Sequence, residues 1–229
     1  MILLGALFAA LLGVPGGMFA NLLIDRVPEK QPLRPLPGLR SLSRPPRYAL
    51  VVAATAALFG GTVLRFGADW VVPAYLVFFL CLVAVTVIDF QRQIIPNRIV
   101  YPTIFAAVPL LAVAALAGHE WTRFGHAIMG ATLAWAALLV IHLISPAGMG
   151  FGDVRLAFVL GLFLGWISLG HVVTGLFLGV VLISVVGLVL ALLRLRSLQD
   201  HIAFGPFLAG GSILAVFAGH AIIRWGLGW

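Results

Sequence analysis

Charge is what this chain has least of: only 9% of its 229 residues are Asp, Glu, Lys or Arg, and only seven are acidic. Soluble domains carry roughly a quarter charged residues. A sequence that is 62% hydrophobic, with a mean hydropathy of +1.16, therefore needs the bilayer as its solvent. Cysteine is almost missing as well. The single Cys81 lies inside an apolar run and reads as a packing residue, which excludes a disulfide framework and a thiolate zinc cluster. His119, His126, His142, His171, His201 and His220 show no ligand spacing such as HExxH, so they read as interfacial or packing residues and give no metal site. No repeat recurs at a solenoid period.

What the sequence does contain is long apolar runs. Eight windows of spanning length fall near 2 to 24, 48 to 66, 70 to 88, 99 to 117, 124 to 144, 154 to 170, 172 to 193 and 203 to 225. Unpaired backbone is costly in lipid, and the runs lack the two-residue alternation of a barrel, so the fold class is all-α and polytopic. No Lys or Arg precedes the first run and Arg26 follows it, which predicts a retained first span with its N-terminus outside. With that orientation eleven of the fourteen Lys and Arg residues lie inside and only Arg65, Arg123 and Arg224 outside. Topology and anionic headgroups thus account for the net charge of +7 without nucleic acid. The hydrophilic stretch Arg26 to Arg47, RVPEKQPLRPLPGLRSLSRPPR, is broken by prolines and reads as a linker within one membrane domain over 1–229. Trp70, Trp121, Trp166, Trp225 and Trp229 fall mostly near span ends, as in an aromatic belt.

Sorting the seven acids isolates two of them. Asp25, Glu29, Asp69, Glu120 and Asp200 fall in loops or at helix ends. Asp89 closes the run YLVFFLCLVAVTVID, and Asp153 sits in GMGFGDVRLAFVLGLFLGW just before another span, both at the inner edge. A membrane acid is expensive and marks a functional site by default, the bland alternative being a helix-end residue or, for Asp153, a helix N-cap. Gly148, Gly150 and Gly152 remove bulk beside Asp153 and permit unusual dihedrals, so a peptide backbone could approach; a plain turn is the alternative. After Asp89 comes FQRQIIPNRIVYP, in which Pro96 and Asn97 are helix-start residues, Asn97 offering its side-chain oxygen as a cap. Two carboxyls about 3 Å apart share one proton, so one can activate water while the other donates to an amide carbonyl. The sequence leaves open which is base and which is acid, and whether the two meet.

These strings carry a resemblance. VTVIDFQRQIIPNRIVYP resembles the first catalytic block of the type IV prepilin peptidases and GMGFGDVRLAFVLGLFLGW their second, the GxGD block, which is also seen in presenilin-like and archaeal preflagellin peptidases. GGMFANLLIDRVP, with Asn21, Arg26 and Pro28, and IAFGPFLAGG resemble two further segments. The resemblance implies Asp89 and Asp153 as the catalytic pair and cleavage of prepilins or type II secretion pseudopilins, after the leader's terminal glycine, at the cytoplasmic face of a bacterial inner membrane. Cleavage needs no cofactor. Many members also N-methylate the product with S-adenosylmethionine, an activity to which Asn21 and Arg26 are motif candidates, and many carry a tetracysteine zinc loop between the first two spans. This chain has no cysteine between Arg26 and Arg47, which excludes that zinc site and weakens the methyltransferase expectation. Two readings of other classes stay open: a proton-coupled transporter using paired acids, and a scaffold in which both acids only cap helices.

Overall fold

The computed structural model describes residues 1–33, 46–146, 149–193 and 203–227, and among these there are helices and no strands. In chain order the helices are α1 (Ile2–Arg26), α2 (Pro46–Phe66), α3 (Val72–Arg92), α4 (Asn97–Gly118), α5 (Trp121–Ile144), α6 (Phe151–Ile167), α7 (Leu169–Leu192) and α8 (Gly205–Leu227). All but α6 are long and apolar enough to cross a bilayer. Large side chains such as Phe8, Phe105, Leu143, Phe177 and Leu192 are exposed on them, which suits a lipid solvent and no other. The chain is a multi-pass membrane protein. Most of the stretch read as a linker lies outside the described residues.

The α6 helix departs from its expected span. It has 17 residues and so extends about 25 Å, whereas a hydrocarbon core is about 30 Å thick. Protein covers it instead: Leu156, Leu160, Phe163, Leu164 and Trp166 are fully buried, and α5, α7 and α8 all pack on it. A helix sheathed by other helices need not match the bilayer. Trp166, expected in the aromatic belt, is for the same reason inside, while Trp70 and Trp121 are exposed.

The described residues fall into two compact units. The first comprises Met1–Ile88 and Pro96–Glu120, hence α1, α2, most of α3, and α4. In it α1 packs on α2 through Gly13 and Gly17, where an added Cβ would strike the α2 backbone at Ala56 and Val52. Asn21 is buried and pins this pair, its amide donating to the Gly17 carbonyl (3.1 Å) and the Tyr48 carbonyl (3.2 Å). Just beyond, Arg47 forms a 2.6 Å ion pair with Asp25, to which the Tyr48 hydroxyl also donates.

The second unit comprises Asp89–Ile95 and Trp121–Trp229. Small residues bring its helices into backbone contact, as in lipid, where close packing replaces hydrophobic drive. An added Cβ at Gly130 would lie 2.6 Å from the Gly161 carbonyl oxygen, and one at Gly165 2.5 Å from the His126 carbonyl oxygen. Gly179 and Gly211 do the same between α7 and α8, and an added Cβ at Gly175 would strike Leu164 of α6. Gly161→Leu is therefore expected to force α5 and α6 apart at a cost of about 1–3 kcal/mol. Its midpoint of thermal unfolding in detergent should fall, and an unchanged midpoint would show that the seam yields without strain.

Candidate active site

Within the second unit Asp89 enters on the last turn of α3, which continues past it to Arg92 and closes with Gln93 at φ 53. Asp89 thus lies in the end turn of the helix, before its last residues, as a helix-end position requires. Its carbonyl accepts from the Gln93 N–H at 2.8 Å. Asp153 is the third residue of α6, whose cap position is taken by Gly150 with no side-chain capping bond. Its own N–H donates to the Gly150 carbonyl at 3.0 Å. The bland reading of Asp153 as an N-cap thus does not describe its place.

Both carboxyls are withdrawn from solvent, Asp89 at 4% exposure and Asp153 at 7%, and no other described acid is buried. The Gly205 N–H donates to Asp89 Oδ2 at 3.1 Å. Gly205 opens α8, so this N–H is one of the donors that a helix start leaves over, and the positive end of the α8 dipole faces the carboxylate. Asp153 lies in the first turn of α6 and meets the same kind of field. Two helix N-termini thus bear on the two acids.

Ile95 links the two halves of the site. An added Cβ at Gly152 would lie 2.9 Å from Ile95 Cβ, and one at Gly205 would lie 3.1 Å from Ile95 Cδ1 and 2.7 Å from Asp89 Oδ2. One isoleucine therefore touches the glycine next to Asp153 and the glycine bonded to Asp89. The two carboxyl groups are near enough for the charge of Asp89 to act on Asp153. Asp153 Oδ1 is buried with no hydrogen-bond partner. Leaving a buried acceptor unsatisfied costs on the order of 1–3 kcal/mol, and a purely structural acid would have shed that cost.

The glycines around Asp153 divide by role. Gly150 has φ −68 and ψ 145, extended backbone open to any residue, so its value is space: an added Cβ would lie 3.3 Å from Asp153 Oδ2. At Gly152 the space is filled by Ile95, and Gly148 lies outside the described residues. The loop before α6 is tied to α5, because His142 Nδ1 donates to the Met149 carbonyl at 2.7 Å and its ring meets Phe151 at 5.5 Å. The Arg155 guanidinium lies over that same phenyl ring, 4.5 Å from its centre. Gly205, Ile95 and His142 were not singled out from the sequence. Gly205-Pro206 does signal a helix start, but nothing in one sequence says which acid that start would meet.

The remaining expected site residues belong to the first unit. Pro96 is the cap residue of α4, extended and without a side-chain capping bond, and Asn97 is the first helical residue rather than the cap. Asn21 spends its amide donor within the α1–α2 pair while its Oδ1 is buried without a partner, and Arg26 Nη1 donates to the Pro32 carbonyl at 2.8 Å. Among the described residues these contacts bring Asn21 and Arg26 to no common site for S-adenosylmethionine. Among the described residues no three His, Cys, Asp or Glu side chains gather as a metal site.

Comparison with known proteins gives the family. The model of the type IV leader peptidase family matches residues 76–192, a stretch that contains both aspartates. The prepilin leader peptidase/N-methyltransferase of Pseudomonas aeruginosa is 33% identical over 183 residues, covering 78% of this chain and 60% of that protein. Proteins of the same name from Aeromonas hydrophila and Bacillus subtilis are each 32% identical, over 184 and 176 residues, covering 78% and 77% of this chain and 61% and 68% of theirs. The chain thus spans about three fifths of the length of the Pseudomonas and Aeromonas relatives. No solved structure matches. With the family model covering more than half of its residues, and both acids buried among the described residues inside the match, this chain belongs to the type IV leader peptidase family.

Proposed function

We propose that the chain acts as one membrane aspartic endopeptidase domain. It removes the leader peptide of type IV prepilins or type II secretion pseudopilins, working at the cytoplasmic face of a bacterial inner membrane. The observation that carries this reading is the pair Asp89 and Asp153: the only buried acids among the described residues, within electrostatic reach of each other, Asp89 facing the N-terminus of α8 and Asp153 in the first turn of α6, with Asp153 Oδ1 unpartnered. The names of the Pseudomonas, Aeromonas and Bacillus relatives support the substrate class.

In this reading one carboxylate is ionised and removes a proton from water as its oxygen attacks the scissile carbonyl carbon. The other, protonated, gives its hydrogen to the carbonyl oxygen, so the tetrahedral intermediate forms without a free charge. Collapse of that intermediate breaks the C–N bond: the proton taken from water passes to the leaving amine, and a hydroxyl of the intermediate returns its proton to the second carboxylate as the product carboxyl forms. The pair returns to one shared proton. Burial makes this division of labour favourable, because two charges so close in a dry site cannot both persist. Gly150 leaves the approach beside Asp153 Oδ2 clear of a side chain, which is where an extended substrate backbone would pass.

The test is cleavage of a co-expressed prepilin in membranes carrying the full chain, read as the shift from precursor to mature pilin. Persistent precursor with a folded, inserted protein would end the proposal. The relatives' names also carry a methyltransferase activity. Incubating the same membranes with labelled S-adenosylmethionine separates the two: label on the new N-terminus would make the chain bifunctional, and mature pilin without label would make it a peptidase alone.

A further inference from the structure

In the first unit, α1, α3 and α4 enclose a cavity of about 240 Å³ whose walls include Phe19, Leu23, Leu80, Cys81, Thr103 and Arg98. The wall is almost wholly apolar. Thr103 turns its hydroxyl hydrogen onto the Ile99 carbonyl of its own helix (2.8 Å) and so has no donor left for an occupant. Arg98 is the one charged member, exposed, and no acid among the described residues pairs with it. Pro102, also in the wall, has no N–H to give the Arg98 carbonyl one turn back, so a cation and a released acceptor occur at one residue. Leu33 completes the wall, in the segment held by the Arg26 bond to the Pro32 carbonyl. None of these groups belongs to the proposed catalytic site.

We propose that this cavity binds an anionic glycerophospholipid, one acyl chain lying among the apolar side chains and the phosphate on the Arg98 guanidinium. The chemistry selects that occupant. An apolar cavity in a protein whose helices expose leucines and phenylalanines to lipid is filled by the commonest apolar chains around it, and Arg98 prefers those with an anionic head. A head group bearing a hydroxyl satisfies the Arg98 carbonyl as well. Phosphatidylglycerol has both features and phosphatidylcholine has neither a net negative charge nor a hydroxyl donor.

The experiment uses the full chain in mixed micelles with phosphatidylglycerol carrying a photoreactive diazirine on its acyl chain, followed by mapping of the labelled peptides. Label is expected on the peptides bearing Leu80, Cys81 and Thr103, and excess phosphatidylglycerol should displace it while phosphatidylcholine does not. Arg98→Gln should lower labelling about fivefold, the loss of one basic contact to an anionic head group. Thr103→Phe, which fills the cavity and leaves Arg98 in place, should abolish it. Labelling equal in wild type and Arg98→Gln, or competed equally by the two lipids, overturns the proposal. Displacement by S-adenosylmethionine or by a prepilin, but not by phosphatidylglycerol, assigns the cavity to another occupant and overturns it too.

Discussion

Asp89→Asn and Asp153→Asn are each expected to stop prepilin processing, with kcat/KM falling by at least ~10³-fold, in the upper part of the range for loss of a general acid or base. The substitution keeps volume and shape and removes only the capacity to hold and pass a proton. At position 89 the carboxamide oxygen can still accept the Gly205 N–H, so the joint between α3 and α8 survives. At position 153 the change neutralises a buried acid whose Oδ1 has no partner, so folding is unharmed and stability should rise or hold. The double variant should be no slower than either single one, because the two carboxyls act as a unit and their losses do not add. Wild-type cleavage by either variant, measured in membranes with insertion verified, would exclude the paired-aspartate mechanism. A scaffold whose acids only shape helices would show the opposite pattern: intact processing and altered stability.

Gly205→Ala is the second substitution of large effect, although it adds one methyl group and touches no acid in sequence. That methyl would lie 2.7 Å from Asp89 Oδ2 and 3.1 Å from Ile95 Cδ1. Gly205 begins α8 and its backbone is fixed by the helix, so the Asp89 side chain has to swing away and lose the N–H bond. A displacement of about 1 Å in a reacting group can cost on the order of 10²-fold, and that is the loss expected in kcat with the protein still folded. Gly210→Ala on the same helix is the control, since its nearest neighbour would be Leu182 Cδ1 at an ordinary 3.4 Å. Equal activity of the two variants would mean that the α8 N-terminus does not position Asp89.

The class of the protein and the identity of its two acids were legible in the residues because both rest on cost. A chain 62% hydrophobic has one solvent available, and an acid within an apolar run stands out against that background. The ends of the helices were less legible. The expected end of the third span at residue 88 stopped one turn short, since the sequence FQR carries no breaker and the helix runs on until Gln93 turns left-handed. The expected sixth span at 154–170 became a 17-residue helix wrapped in protein, a distinction invisible in hydropathy because lipid and a packed interior select the same side chains. The glycines near Asp153 looked alike in sequence, yet one clears space beside a carboxylate and another is filled by Ile95.

By itself, the sequence determined that this is a multi-spanning helical membrane protein with Asp89 and Asp153 as its costly acids. It could do so because burial cost and hydropathy are properties of residues and their immediate runs. Only the tertiary structure decided what stands around those acids: the Gly205 N–H on Asp89, Ile95 between Gly152 and Gly205, and the unpartnered oxygen of Asp153. Those contacts join residues far apart in the chain, Asp89 and Gly205 by 116 positions, and helix packing through small residues, rather than any local preference, sets which of them meet.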